Sequence, residues 1–178
     1  MELLTLAKAE LKRSENEPDH PFRYFYLGTI GQYPEVRTVV KRDLDDRLAV
    51  TFFTDSRTRK VSQIEDDNRV SALFYHPGHR LQIRMTGSAM KLKEDSLAYA
   101  AYYQQVNDSM GKKDYSTLAV PGTPQKDEAE IIYGETIHLT VFRILPTDID
   151  VVLLGKDHHS RSHYKRDGSL WIETKLVP

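Results

Sequence analysis

Two short runs of the chain concentrate side chains able to bind an anion. Arg37-Thr-Val-Val-Lys-Arg42 alternates cations with apolar residues, and Phe53-Thr-Asp-Ser-Arg-Thr-Arg-Lys60 ends in a cationic turn where the hydrophobic period changes. Guanidinium groups donate charge-assisted, often bidentate hydrogen bonds to phosphate oxygens. Lys60 falls near the start of a helix predicted within 57–67, where free backbone N–H groups also favour an anion. A phosphate-bearing ligand is the chemistry this pair suits. Downstream, Leu81-Gln-Ile-Arg84 adds Gln82, a neutral donor on the polar side of an alternating strand. Taken singly, each of these residues reads as a solvated strand or helix charge; only the joint pattern reads as a site.

The elements that must position them are mostly strands. Leu3, Leu4, Leu6, Ala7 and Leu11 have helical spacing, so 2–14 is a predicted amphipathic helix, ended by the proline-rich stretch Ser14–Pro21. Phe22–Thr29 and Val36–Arg42 read as strands joined by the turn residues Gly31–Pro34. Leu48–Thr54 is β-prone with little polarity, as a strand buried on both faces would be. Strands are predicted at 70–75 and 80–92, a helix at 94–106 with Leu97, Ala98, Ala101 and Tyr102 on its inner side, and a loop-rich stretch at 107–134. Three more strands, at 136–145, 149–154 and 170–176, close the pattern. Many antiparallel strands with few short helices imply one small β-barrel domain spanning 1–178.

Composition narrows the rest. The 178 residues are 29% charged and 39% hydrophobic, with a net charge of −1 and no cysteine. No global basic field recruits nucleic acid or an anionic membrane, and disulfides, thiolate nucleophiles and Cys-based metal centres are excluded. The start, Met1-Glu-Leu-Leu-Thr, shows no basic region ahead of a long apolar run, and no apolar run is long enough to span a bilayer. A cytoplasmic protein is expected. His158, His159 and His163 fall on a polar stretch without a carboxylate cluster, so no metal site is expected.

In order and spacing these phrases resemble the pyridoxamine 5'-phosphate oxidase family, whose members carry Arg-x-Val-Leu-Leu-Lys, then Tyr-Thr-Asn-x-x-Ser-Arg-Lys, then Arg-Gln-Val-Arg. The end, Trp171-Ile-Glu-Thr-Lys175-Leu-Val-Pro178, is similar to the family's closing Trp-x-x-x-Arg-Leu-x-Pro. Closer still is an oxidase-like subgroup of poorly defined activity that shares Arg-Thr-Val-Val and Thr-Asp-x-Arg-x-x-Lys. The likeness covers 22–92 and, more loosely, 136–178. It implies a mainly β (α+β) fold, a split β-barrel of antiparallel, Greek-key type with peripheral helices. It also implies a homodimer with FMN at the subunit interface, held by Arg37, Thr38, Val39, Val40, Arg42, Phe53, Thr54, Arg59, Lys60, Gln82 and Lys165. Arg37, Arg59 and Lys60 would take the phosphate. Thr38–Val40 would offer backbone groups to the ring, and Arg42 and Gln82 would bond its polar edge.

The resemblance implies an FMN-dependent oxidoreductase that moves two electrons from a small substrate, a pyridoxamine or pyridoxine phosphate-like amine or alcohol. No catalytic side chain is required, because the flavin carries the chemistry. Arg161-Ser-His163-Tyr-Lys165 is similar to the family's Arg-x-His-x-Arg, which makes Arg161 and His163 substrate-binding candidates. Two positions depart from the family. Val106 stands where a phosphate-binding arginine is usual, and Val152-Leu-Leu-Gly155 replaces Phe-Trp-Gln-Gly. These argue against oxidation of pyridoxamine phosphate itself. They leave open an NAD(P)H-dependent FMN reductase and a non-enzymatic flavin- or haem-binding protein.

Overall fold

The computed structural model describes residues 2–125, 130–156 and 158–178. Eight strands form one antiparallel sheet: β1 (Tyr24–Ile30), β2 (Pro34–Leu44), β3 (Val50–Asp55), β4 (Arg69–His76), β5 (Leu81–Lys91), β6 (Leu139–Leu154), β7 (His159–Asp167) and β8 (Leu170–Leu176). Their order is β3-β2-β1-β4-β5-β6-β7-β8, and β3 also pairs with β6. That extra pairing closes six strands into a barrel and leaves β7 and β8 as an outer extension. Among the described residues three helices decorate it: α1 (Leu3–Asn16), α2 (Arg59–Asp66) and α3 (Leu97–Asn107), with short 3-10 turns at Pro21–Arg23 and Met110–Tyr115. Among the described residues no helix is long and apolar enough to cross a membrane.

Aromatic side chains fill the barrel. Phe25 of β1 stacks on Phe74 of β4 at 5.1 Å, and Phe52 of β3 stacks on Phe142 of β6 at 5.4 Å. β3 is buried along its whole length, as its apolar run predicts: Val50 and Phe52 face the interior, while Phe53 faces outward into a second cluster. There Phe53 joins Val106, Tyr115, Ile137, Leu139 and Val141, so α3 and the Met110–Tyr115 turn cover the outside of β3.

Three sequence expectations are corrected. The predicted strands at 136–145 and 149–154 are one strand, β6, which runs through Pro146. The β5–β6 register shifts between Thr86 and Gly87, and a bulge of this kind tolerates proline within a strand. Gly87 is required there, because a Cβ would run into the Leu145 carbonyl. His159–Asp167 is a strand rather than a polar loop, paired to β8 through the two-residue turn Gly168-Ser169, with Gly168 at φ +58°. On α3, Leu97, Ala98 and Ala101 are exposed, and the helix packs instead through Tyr99, Tyr102 and Val106.

α1 buries Leu3, Leu4, Ala7 and Leu11 against the barrel. No side chain caps its N-terminus in the usual way. Instead the Leu4 amide donates to the hydroxyl of Tyr164 on β7 at 3.2 Å, and that hydroxyl donates to Glu173 on β8 at 2.9 Å. Tyr164 is fully buried. Tyr164→Phe is therefore expected to cost about 1–3 kcal/mol, the penalty for a buried donor left without its acceptor. Urea unfolding measures it, and hydrogen exchange should show lost protection in the first turn of α1.

Candidate cofactor-binding site

The turn from β3 into α2 builds a dense cationic corner. Arg37 projects from β2, and Arg57, Arg59 and Lys60 follow directly from the end of β3. Two carboxylates compensate them. Asp55 is fully engaged by Arg57, with Nε–Oδ1 at 3.0 Å and Nη2–Oδ2 at 2.7 Å, while the same guanidinium reaches the Thr117 carbonyl at 2.8 Å. Glu35 receives Arg37 at 3.0 Å and Arg59 at 3.4 Å. Four cations against two carboxylates leave an excess of two positive charges.

Lys60 carries much of that excess. Its Nζ donates to the Thr54 hydroxyl at 3.0 Å, and among the described residues it forms no ion pair. Burial first, then the nearby Arg37 charge, pull its ammonium pKa below the ordinary lysine value, with Asp55 pulling weakly the other way. The Thr58 side chain does not cap α2; its hydroxyl turns back to the Asp55 carbonyl at 2.8 Å. A half-buried ammonium facing a neutral hydroxyl beside an uncapped helix start is the arrangement that an anion completes. The residues present therefore fit a phosphate group.

Gln63 of α2 is the strut of this corner, and the sequence reading missed it. Its Oε1 accepts from the Thr29 hydroxyl at 2.7 Å and from Arg37 Nη2 at 3.1 Å, while its Nε2 donates to Glu35 at 2.7 Å. One turn of helical spacing from Lys60 was the only available signal.

Along β2, Thr38 and Arg42 point away from the barrel interior, with Val40 between them, whereas Val39 points into the core. Arg42 lies over the Phe53 ring at 5.4 Å and donates from Nη2 to the Tyr115 hydroxyl at 3.2 Å. Among the described residues its buried Nε has no hydrogen-bond partner. Beside it, Tyr102 donates to Asp43 at 2.8 Å, and Val106 is buried in the apolar cluster. Burial pushes the hydroxyl pKa of Tyr115 up, with Arg42 opposing it.

The remaining predicted residues do not join this group within one chain. Gln82 lies on the outer face of β5, and Arg161, His163 and Lys165 share the outer face of β7. In the ladder Thr38 pairs with Tyr26, Tyr26 with Leu73, Leu73 with Arg84, Arg84 with Asp150 and Asp150 with His163. That route crosses five strand pairings and the one through β3 and β6 crosses three, so the two groups sit on separate strands of the barrel wall. Arg161 and Arg84 both close on the buried Asp150, at 2.9 and 3.2 Å, and His163 meets Asp148 at 3.1 Å. Neither aspartate was singled out from sequence. Lys165 is exposed.

The family model for the pyridoxamine 5'-phosphate oxidase FMN-binding domain matches residues 5–93, half of the chain and the part that builds the cationic corner. A pyridoxine/pyridoxamine 5'-phosphate oxidase of Thermosynechococcus vestitus is 27% identical over 167 residues, covering 85% of this chain and 77% of the relative. The fold is similar to that of a pyridoxamine 5'-phosphate oxidase-related FMN-binding protein of Nostoc punctiforme, with a TM-score of 0.77 and 20% identity over 98% of this chain and 96% of that one. It is also similar to PhzG of Burkholderia lata, solved with tetrahydrophenazine-1-carboxylic acid, with a TM-score of 0.72 and 22% identity over 99% and 93% of the two chains. Both structural likenesses identify the split barrel.

The depressed Lys60 pKa has a signed consequence. A lysine whose folded pKa lies below its unfolded value costs stability while charged, and the cost is relieved as pH rises from the folded pKa toward the unfolded one. Lys41, buried on β2, has its pKa lowered in the same direction, so the readout is the difference between proteins. Ligand-free Lys60→Met should be more stable than the wild type at neutral pH, by roughly 2–4 °C in Tm for each 1 kcal/mol relieved. That margin should shrink on the alkaline side. Thermal melts across pH, without added ligand, measure both.

Proposed function

This chain belongs to the pyridoxamine 5'-phosphate oxidase FMN-binding domain family, and from that premise we propose that it is a flavoprotein oxidoreductase whose cationic corner holds the phosphate of FMN. The observation that carries the reading is Lys60, a half-buried ammonium with a hydroxyl partner and, among the described residues, no carboxylate. Bound FMN supplies two-electron redox chemistry. The chain supplies binding, orientation and charge. Lys60 and Arg37 take the phosphate, with Gln63 fixing the Arg37 guanidinium, and the exposed Arg59 adds a third donor from the start of α2. The outward row of β2 faces the flavin ring. Arg42, with its unpartnered Nε, is the donor for the polar edge of that ring, where a cation favours the anionic reduced form.

The placement of the two groups of predicted residues on separate strands of the barrel wall supports a homodimer. Gln82, Lys165, Arg161 and His163 reach the cofactor of the other subunit, not of their own. The outer face between the two groups exposes Tyr24, Tyr26 and Val36, apolar surface of the kind a second copy would cover. On the substrate side, Val106 is packed into the apolar cluster and the Tyr102 hydroxyl is committed to Asp43, so neither offers a phosphate anchor. A small amine or alcohol held without a strong phosphate anchor fits that surface better than pyridoxamine phosphate.

The test is a visible spectrum and an FMN titration of the purified protein, with riboflavin, which lacks the phosphate, alongside. The expected result is a yellow protein that prefers FMN. Lys60→Met should bind FMN about 10- to 100-fold more weakly, as loss of a charge-assisted hydrogen bond predicts. Wild-type affinity should fall on the alkaline side as Lys60 deprotonates, and the variant should lack that limb. A protein that neither carries nor takes up FMN would sink the proposal. Sedimentation of the FMN-loaded protein is expected to give a dimer; a monomer that binds FMN at full affinity would overturn the shared site alone.

A further inference from the structure

Away from the cofactor corner, ionisable side chains from separate parts of the chain converge beneath α1. Glu10 is buried on α1, only 5% exposed. Its Oε2 lies 3.1 Å from His20 Nε2, 3.3 Å from His79 Nδ1 and 4.0 Å from His76 Nε2. His20 precedes the Pro21–Arg23 turn, His76 ends β4, and His79 sits in the turn to β5. The ligand atoms of Glu10, His76 and His79 all lie within 4.8 Å of one another. Imidazole nitrogens with one carboxylate oxygen are a donor set suited to zinc and its neighbours, and poorly suited to the hard cations Mg2+ and Ca2+.

We propose that Glu10, His76 and His79 bind a divalent late transition metal of the Zn2+ type, clamping α1 to the β4–β5 turn. Two neighbours orient the carboxylate for this role. The Phe22 amide donates to His20 Nδ1 at 3.1 Å, which leaves the proton on Nε2 and makes His20 a donor to Glu10. Arg13 Nη1 holds the other oxygen, Oε1, at 3.0 Å. A hydrogen-bonded carboxylate of this kind is the usual outer-shell support of a metal ligand.

The bland alternative is a buried carboxylate solvated by imidazole N–H groups, and the geometry states what binding must change. The His79 amide donates to His76 Nδ1 at 3.0 Å, which places the His76 proton on Nε2. Ligation moves that proton to Nδ1 and gives up the bond. The His76 and His79 rings are stacked 4.0 Å apart and within 3° of parallel, so their in-plane lone pairs cannot both meet one ion. The His79 side chain, 48% exposed, must tilt. The adjustments fall at His76 and the exposed turn that follows it, and three metal–ligand bonds replace the His79 amide bond to His76, the two ring contacts to Glu10 and the stack. The site closes on binding.

Zn2+ alone, titrated calorimetrically into tag-free protein without FMN, tests this independently of the flavin. One equivalent should bind, and Tm should rise by about 5–10 °C at a hundred-fold excess over Kd. His79→Ala, at an exposed position that leaves folding intact, and His76→Ala should each weaken binding at least about 10-fold. His20→Ala should cost about 10- to 100-fold as an outer-shell change. Mg2+ should do nothing. Zn2+ affinity equal in wild type and His79→Ala, or loss of binding only on substitution of His159 and His163, would overturn the proposal.

Discussion

The pairing of β3 with β6 is the constraint from which the rest follows. It turns an open sheet into a barrel, from Val50 opposite Ile144 to Asp55 opposite Leu139. It also brings Phe52 onto Phe142, so closure and core packing are one event. Because β3 is buried on both faces, its last residues have no freedom to fray. The Ser56 amide, just beyond the strand, donates to the His138 carbonyl at 2.8 Å. Thr54, Asp55 and the start of α2 thus emerge from a strand buried at every residue and pinned on both edges, and a site set on such a strand is positioned by the core itself.

That rigidity makes an uncompensated charge tolerable. Crowding Arg37, Arg57, Arg59 and Lys60 at one strand end is unfavourable, and the fold answers it unevenly. Asp55 is committed to Arg57, and Glu35 is divided between Arg37 and Arg59. Lys60 is left with a hydroxyl. An apolar residue there would stabilise the fold more, so folding alone does not account for an ammonium at this position. The apolar side of the same neighbourhood, with Val106 and Tyr115 packed behind Phe53, shows the opposite economy. There Val106 and Tyr115 serve packing.

What was legible in the sequence was whatever rests on local periodicity or on one continuous phrase. The alternation of Leu81, Ile83 and Met85, the apolar run of β3, and the cations of 37–42 and 57–60 all appear where their patterns put them. What was not legible depends on partners distant in sequence. Pro146 looks like a break until Gly87, on the neighbouring strand, supplies the bulge that accommodates it. β7 reads as a polar loop because Arg161, His163 and Lys165 fill its outer face. Only the buried Ser162 and Tyr164 between them, with the Gly168-Ser169 turn, mark it as a strand. Gln63, Asp150 and Glu10 each act through contacts with elements that no linear pattern links to them.

The outer face of the sheet bears on how such a protein recognises its substrate. Arg161 and Arg84 converge on the same buried Asp150. Each is therefore pre-aimed by a carboxylate that partly neutralises it, and an anionic substrate would meet a damped charge. His163 is likewise held by Asp148. In the proposed dimer this pre-aimed face lies against a ring edge set by Arg42, itself fixed by Phe53 and Tyr115. The strongest uncompensated charge then sits at the cofactor's phosphate, and the substrate face offers oriented hydrogen-bond donors of muted charge. An arrangement of that kind selects by shape and hydrogen bonding more than by net charge, as expected where cofactor affinity and substrate choice rest on separate residues.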